Sequence, residues 1–190
     1  MKPIGDLKRL AKEKLNGNFG TCILIEIISG LLTGLSSLIP FGALVVKGPF
    51  DVGSQHIYNR VTDRCRPEVK ELFTGFAQNF GENFLVGLLK TIYLLLWTML
   101  CIIPGIIKAY SYSMAEYLMA RNTDMSASDA IRESRYLMNG HKMELFELDL
   151  SFIGWDILTV ITCGLLSLYV VPYKNATKTE FFNEIYYSSN

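Results

Sequence analysis

The sequence predicts an all-α fold: a polytopic membrane helix bundle with interfacial amphipathic helices. Half of the 190 residues are hydrophobic, and 19% are charged, against about 25% in an average soluble domain. The apolar residues collect in three long runs, at residues 22–46, 84–107 and 145–171. The ten Tyr, eleven Phe and two Trp argue against a disordered chain, and the zero net charge argues against a nucleic-acid partner.

Each apolar run is longer than the roughly 20 residues that a helix needs to cross a hydrocarbon layer of about 30 Å. A segment inside lipid must satisfy its own backbone hydrogen bonds, so we expect helices rather than strands. The alternative is a set of soluble helices that are buried on all sides. A soluble chain of this length does not have the room to bury three of them completely.

The segment before the first run is charged and lacks a small-residue cleavage site, so we expect this run to remain as a membrane helix. By the positive-inside rule, the basic residues of this segment place the N-terminus in the cytoplasm. They are Lys2, Lys8, Arg9, Lys12 and Lys14. We therefore expect a multi-pass protein of the cell membrane, with membrane lipids as partners and a membrane protein partner of unknown identity as a further possibility.

An amphipathic segment that ends near Asn or Gly precedes each apolar run, at residues 7–19, 69–84 and 130–142. Successive units begin roughly 62 and 61 residues apart. This pattern predicts one domain over residues 1–190 with a possible threefold repeat, 1–65, 66–125 and 126–190. Chance similarity among amphipathic and apolar segments is the alternative. In each unit, a left-handed turn at Asn-Gly should lead into the crossing helix, which should end near Pro40, Pro104 or Pro172.

A less apolar second helix should follow each proline, over residues 41–59, 105–121 and 173–187. The first two either return across the membrane, giving about five spans and an outside C-terminus, or are re-entrant, leaving three spans. The third is too short and polar to cross, so we expect it at the surface. Ser126 and Asp129 fit a capping box, which predicts an independent helix over residues 127–138.

The sequence offers little chemistry for catalysis. It contains no P-loop, no nucleophile elbow and no zinc-protease motif, and His56 and His141 have no partners at metal-ligand spacing. We therefore expect no metal, no cofactor and no enzyme activity. The cysteines form no C-x-x-C pair and are interpreted as small buried hydrophobes; they are Cys22, Cys65, Cys101 and Cys163.

Ionisable residues inside a bundle are functional candidates, because burying an unpaired charge in a membrane is costly. For Glu116, a substrate pathway and structural hydrogen bonding between helices are equally open. Glu26 is the clearest further candidate, and Lys47, Lys90 and Lys108 are possible partners for these carboxylates. For Glu26 and Lys90, we favour the interpretation that the side chain reaches towards the membrane interface. The candidate intramembrane polar site consists of Lys108, Tyr112, Glu116 and Asp156.

A cytoplasmic basic band beside the third apolar run is a candidate site for anionic lipid headgroups. Its residues are Arg132, Arg135, His141 and Lys142. The positive-inside rule alone would also produce such a band, without any specific ligand.

Six segments of the second half carry a family resemblance: residues 103–108, 110–114, 130–135, 138–142, 150–155 and 171–173. Together they resemble a bacterial, mostly Gram-positive family, domain of unknown function nine-seven-five. The resemblance is specific over about residues 97–182 and weaker upstream, and Met143 stands where an aromatic residue is common in the family. A more distant resemblance is to the membrane domain attached to some glycerophosphodiester phosphodiesterases. The resemblance implies an integral plasma-membrane protein and brings no catalytic residue, substrate or cofactor.

Two functional hypotheses follow. The first is a non-enzymatic membrane module, either a scaffold for another protein or a carrier for lipid-like or small solutes. The alternative is a membrane-embedded enzyme that acts on lipid through intramembrane carboxylates. A water-accessible cavity lined by Lys108, Tyr112 and Glu116 would favour a carrier, and a tightly packed apolar interior would favour a scaffold.

Overall fold

The structure is a computed structural model that describes residues 2–36, 42–100, 102–162 and 164–189. Within these ranges the chain forms eleven α-helices, one 3-10 helix and no strand, so the all-α prediction is confirmed. The helices are α1 (Ile4–Leu15), α2 (Phe19–Ser36), α3 (Gly42–Thr62), the 3-10 helix (Val69–Phe73), α4 (Thr74–Ala77), α5 (Phe80–Leu100), α6 (Ile102–Ser111), α7 (Ala115–Arg121), α8 (Ala127–Leu137), α9 (Lys142–Leu150), α10 (Ile153–Ile161) and α11 (Ser167–Ser189).

Two helices are long and apolar enough to cross a membrane: α2 over Phe19–Ser36 and α5 over Phe80–Met99. Their mean hydropathies are 1.7 and 1.2. Only 12% and 17% of these two segments is buried within the protein. Most of their apolar surface therefore faces away from the protein core.

The third apolar run does not form one long helix, which corrects the expectation of a single crossing segment. It divides at Ser151 and Phe152 into α9 and α10, of nine residues each, or about 13 Å at 1.5 Å per residue. The Ser151 hydroxyl donates a hydrogen bond to the Leu148 carbonyl oxygen at 2.5 Å, a local bond of the kind that competes with a continuing helix. Neither helix alone is long enough to cross a membrane.

The apolar helix α5 ends at Leu100, near Pro104 as expected, whereas Pro172 does not end a helix. Pro104 lies in the first turn of α6, where its missing N–H removes no helical hydrogen bond, and Pro172 lies inside α11. Pro40 falls outside the described residues, as do Cys101 and Cys163. Of the other two cysteines, Cys22 is buried as expected and Cys65 is exposed.

The expectation of a short surface helix at the C-terminus is wrong. The 23-residue helix α11 packs against α1, α2 and α3, and contributes Phe181, Phe182 and Ile185 to a core cluster. Its charged residues find distant partners: Lys14 binds Glu180 at 2.6 Å, which makes burial of this polar helix possible. In addition, the Lys2 backbone N–H donates to Glu184 Oε1 at 2.5 Å. The start of α1 and the end of α11 thus lie close together, and the expected outside C-terminus stays a prediction.

A left-handed residue stands at the start of each apolar segment, as the Asn and Gly positions predict. Gly17 has a φ of +92° before α2, Gly140 has +91° before α9, and Asn79 has +49° before α5. Glycine and asparagine adopt this conformation with little strain, so the chain turns sharply at all three junctions.

The amphipathic helices pack in a cyclic order. The helix α1 lies on α11, α4 and the 3-10 helix lie on α3, and α8 lies on α7. The helices α3, α7 and α11 also contact one another, for example through Tyr117, whose hydroxyl donates to Asn183 Oδ1 at 2.6 Å, and through Gln55, whose Nε2 donates to Thr179 Oγ1 at 2.8 Å. The more polar second helices therefore occupy the centre of the molecule.

The predicted capping box at α8 is confirmed. Ser126 Oγ accepts a hydrogen bond from the Asp129 N–H at 3.2 Å, and the helix begins at Ala127. Glu82 of α5 adds a second cap, because its Oε2 accepts from the Ala127 N–H at 2.7 Å. A carboxylate at this position also favours the helix dipole and ties α8 to α5.

The exposed large apolar side chains concentrate on α2, on the hairpin of α5 and α6, and on α10. Met99 of α5 is 83% exposed and Val160 of α10 is 78% exposed, and α10 has no buried residue. Contiguous apolar surface on this scale is unusual for a monomer in water.

The close crossing of α3 and α5 depends on two glycines. A Cβ at Gly87 would lie 2.6 Å from Gly48 Cα, and a Cβ at Gly48 would overlap the Asn83 carbonyl oxygen. We expect Gly48→Ala to lower the free energy of unfolding by about 1–3 kcal/mol, since the backbones must separate. Thermal unfolding in detergent measures this. Gly30→Ala on α2, with open space around its Cβ, is the matched control; equal melting temperatures for the two variants would contradict the expectation.

Candidate functional site

A polar cavity of about 440 Å³ lies between α2, α3 and α5, and residues of α7 and α11 complete its wall. It contains three carboxylates and two ammonium groups, which belong to Glu26, Asp51, Glu116, Lys47 and Lys90. Its other lining residues are Ser29, Phe50, Ser54, Gln55, Tyr58 and Asn175. This charged cavity is the candidate functional site.

The strongest contact in the charged cavity joins Lys90 and Glu116. Lys90 Nζ donates to Glu116 Oε1 at 2.6 Å and to Oε2 at 2.8 Å. Glu116 is only 7% exposed. Lys90 is the middle residue of α5, about 15 Å from either end, so it pairs inside the bundle rather than reaching the membrane interface. Both oxygens of Glu116 are thus held by one ammonium group.

Glu26 also turns inwards, against the expectation that it reaches an interface. Its Oε1 accepts one hydrogen bond from the Tyr58 hydroxyl at 2.5 Å and another from Asn175 Nδ2 at 3.0 Å. Tyr58 is fully buried on α3, and Asn175 lies on α11. Glu26 therefore links three helices at one end of the charged cavity.

Three other lining groups have unused hydrogen-bonding capacity. Asp51 lies in the electrostatic field of Lys47, Lys90 and Glu116, but neither Asp51 nor Lys47 makes a side-chain hydrogen bond or ion pair within the described part of the chain. The Ser29 hydroxyl oxygen is buried and has no partner there either. A carboxylate, an ammonium and a hydroxyl group in one cavity supply the donors and acceptors that a small polar ligand needs.

The four residues of the sequence-predicted polar site do not come together. Of the four, Glu116 lines the charged cavity. Lys108 packs elsewhere, with its Nζ 4.7 Å from the centre of the Trp97 ring. Tyr112 is buried, and its ring lies 5.9 Å from that of Tyr93. Asp156 Oδ2 accepts from Lys174 Nζ at 3.0 Å, beside a second ion pair of Lys178 with Asp149 at 2.8 Å. These contacts stabilise the packing of α10 and α9 against α11.

The basic band lies on the surface around α8 and the start of α9. Arg132 pairs with Asp129 at 2.6 Å, and His141 Nδ1 lies 2.8 Å from Glu144 Oε2. Arg135 and Lys142 form no ion pair with any described residue and are close enough to Lys108 to interact with it electrostatically. Two cations of the band are thus free to meet an anion.

The sequence holds two signals for the cavity residues of α3. Lys47 and Asp51 are four positions apart, so they share one face of the helix. The first two units also carry matching residues at a constant spacing of 61: Lys47 and Lys108, Arg60 and Arg121, Asp63 and Asp124. This internal match marks Lys47 as part of a polar pattern that the two units share.

Removal of one partner from the Lys90–Glu116 pair leaves the other charge unpaired. We expect Lys90→Met or Glu116→Gln alone to lower the free energy of unfolding by about 1–3 kcal/mol, below the roughly 3–5 kcal/mol for a fully buried pair, because the Lys90 side chain is 23% exposed. The double variant should lose less stability than the two single variants lose together. Denaturation of the wild type, the two single variants and the double variant in detergent gives the coupling free energy between Lys90 and Glu116. The exposed pair Lys70–Glu68, at 2.7 Å, is the matched control and should show no coupling; a coupling of equal size there would argue against a special role for the cavity pair.

Residues 99–189 match the sequence profile of a family described as protein of unknown function (DUF975). The match covers just under half of the chain and includes the helices from α6 to α11, in agreement with the resemblance seen in the sequence. No curated protein and no solved structure matches the chain. The bacterial origin and the likeness to glycerophosphodiester phosphodiesterases stay predictions. The C-terminal half of this chain is thus similar to a family of proteins of unknown function.

Proposed function

We propose that the chain is a non-enzymatic, multi-pass protein of the cell membrane that binds a small charged or zwitterionic solute in the charged cavity, as a carrier does. The observation that carries this proposal is the placement of Lys90, with Glu116 as its partner, halfway along the apolar helix α5 and beside the unpaired Asp51 and Lys47. Ionisable groups at this depth mark solute or ion pathways in membrane proteins.

Membrane insertion is supported by where the apolar surface lies. The helices α2 and α5 are long and apolar enough to cross, and their outward faces are little buried. Helix α10 has no buried residue. The apolar segment of α9 and α10 follows an amphipathic helix and a left-handed turn, as α2 and α5 do. We place α10 and the first turns of α11 in the membrane as a hairpin, since α10 alone is too short to cross.

The cyclic packing supports the threefold repeat with units 1–65, 66–125 and 126–190. In each unit an amphipathic segment, a left-handed residue, an apolar segment and a more polar helix follow in the same order. Each amphipathic segment lies on the second helix of the unit before it, with α1 closing the ring on α11. The charged cavity then lies beside the central helices, where a solute is shielded from lipid.

The charges of the charged cavity suggest the chemistry of the solute. Glu116 is held by Lys90, and Glu26 is held by Tyr58 and Asn175, so Asp51 and Lys47 are the charges left for a ligand. An ammonium group fits Asp51, and a carboxylate or phosphate group fits Lys47. A volume of about 440 Å³ suits a small solute rather than an acyl chain pair.

A scaffold and an enzyme fit these contacts less well. A scaffold needs no open charged interior, because apolar packing of the same volume is often at least as stable as a buried ion pair. An enzyme would use Asp51 or Glu116 as acid or base. Both oxygens of Glu116 accept hydrogen bonds from Lys90, which favours a binding role for this residue.

The first test concerns membrane placement and side. Cys65 is exposed after α3, near α1, because Arg64 binds Glu13 at 3.1 Å. With Cys101 and Cys163 replaced by Ser, a membrane-impermeant maleimide should label Cys65 only in opened cells, since the basic α1 side is cytoplasmic. The buried Cys22 is the internal control and should stay unlabelled until denaturation. Labelling in intact cells would overturn the orientation, and recovery of the protein in the soluble fraction would overturn the membrane proposal.

The second test concerns the solute. Glycine, lysine, choline and inorganic phosphate can each be added to the purified protein while its thermal unfolding is followed. A ligand at 100 times its Kd stabilises the folded protein by about 2.7 kcal/mol. We expect one of these solutes to raise the melting temperature of the wild type. Asp51→Asn should lose most of this shift, whereas Asp156→Asn, which removes a carboxylate outside the charged cavity, should keep all of it. An equal shift in both variants, or no shift with any solute of this panel, would count against the carrier.

A further inference from the structure

A second cavity, the α1–α11 groove, lies apart from the charged cavity. It measures about 490 Å³ and is formed by α1, the start of α2 and the first half of α11. Its basic, aliphatic and aromatic lining residues are Arg9, Lys12, Leu15, Phe19, Tyr169 and Tyr173. Neither the sequence-predicted polar site nor the basic band includes any of them.

One end of the α1–α11 groove is basic and short of counter-charges. Lys12 forms no ion pair or side-chain hydrogen bond with any residue that the structure describes. Asp6, at 3.4 Å, is the one ion-pair partner of Arg9 among the described residues, and the Arg9 side chain is 78% exposed. The one carboxylate of the lining, Glu13, is engaged by Arg64 at 3.1 Å. Two cations at this end can therefore meet an anion without losing a buried partner.

The middle of the α1–α11 groove is aromatic. The ring of Tyr169 lies 5.0 Å from that of Phe19, 6.3 Å from that of Tyr173 and 6.3 Å from that of Trp155. Tyrosine and tryptophan rings of this kind gather where a membrane protein meets the headgroup level of a bilayer.

Beyond the rings the surface becomes apolar. The ring of Phe152 lies 5.3 Å from that of Tyr173, and the ring of Trp155 lies 6.3 Å from that of Tyr169. The start of α10 and the first half of α11 therefore run antiparallel. Ile157, Leu158 and Ile161 follow on α10 and are all exposed. From α1 outwards, the order is therefore cation, aromatic ring and exposed aliphatic chain.

We propose that the α1–α11 groove binds one anionic phospholipid from the surrounding bilayer. The phosphate lies between Lys12 and Arg9, the ester region contacts Phe19 and Tyr169, and the acyl chains lie along α10. Each part of the lipid meets a surface of matching chemistry, and charge complementarity selects an anionic over a zwitterionic headgroup. The proposal rests on the membrane placement proposed above and is independent of the solute in the charged cavity.

The test is lipid retention by the detergent-purified full chain in native mass spectrometry, with phosphatidylglycerol and phosphatidylcholine as probes. We expect the wild type to retain phosphatidylglycerol more tightly than phosphatidylcholine. Arg9→Gln/Lys12→Gln should weaken phosphatidylglycerol binding about tenfold or more, since a basic residue near an anionic headgroup contributes on the order of 1 kcal/mol. Arg9→Lys/Lys12→Arg keeps both charges and should bind like the wild type.

The matched control is Arg66→Gln/Lys70→Gln, which removes the same charge from exposed positions outside the α1–α11 groove and the basic band. It should bind phosphatidylglycerol like the wild type. Equal weakening in both double variants would mean unspecific electrostatic attraction and overturn the proposal, as would equal retention of the two lipids by the wild type. If Arg9→Gln/Lys12→Gln melts early, the single variant Lys12→Gln decides, because Lys12 has no ion pair or side-chain hydrogen bond with a described residue to lose. The solute-induced shift of the groove variant should stay as in the wild type, which separates this test from that of the charged cavity.

Discussion

The ion pair between Lys90 and Glu116 is the constraint on which much of the architecture depends. An apolar helix with a lysine at its midpoint needs a buried acceptor at that level, because an unpaired ammonium group inside a bundle is strongly destabilising. Glu116 is that acceptor and lies on the seven-residue helix α7. The pair therefore fixes α7 beside the middle of α5, and α7 in turn contacts α3 and α8.

The other buried polar contacts follow the same rule, and they lie among the hydrophobic core clusters of the molecule. Glu26 of α2 is satisfied by Tyr58 and Asn175, and Glu180 of α11 by Lys14. The exposed faces of α2, α5 and α10 are meanwhile aliphatic. The molecule thus combines an apolar core with exposed apolar helix faces, and α11 lies in the interior through the apolar side chains of Phe181, Phe182 and Ile185 and the ion pair of Glu180.

The sequence predicted those features that depend on local chemistry. The helical class, the left-handed turns at Gly17 and Gly140 and the cap at Ser126 are each encoded within a few neighbouring residues. The break at Ser151 was missed because the composition of an apolar run does not show where its backbone bends. The burial of α11 was missed because its partner Lys14 is far away in the sequence. For the same reason only Glu116 of the charged cavity was among the sequence-predicted site residues.

The packing of the first amphipathic helix on the last helix has a consequence for biosynthesis. Leu7, Ala11 and Leu15 are translated well before the surface of α11 that covers them. Until α11 is made, the apolar face of α1 thus lacks its final partner, and contacts of such long sequence separation form late. An amphipathic helix without its final partner can bind at the surface of a bilayer through its apolar face. The packing of α1 on α11 is then a late step of assembly, so truncation of α11 would leave α1 without its native neighbour.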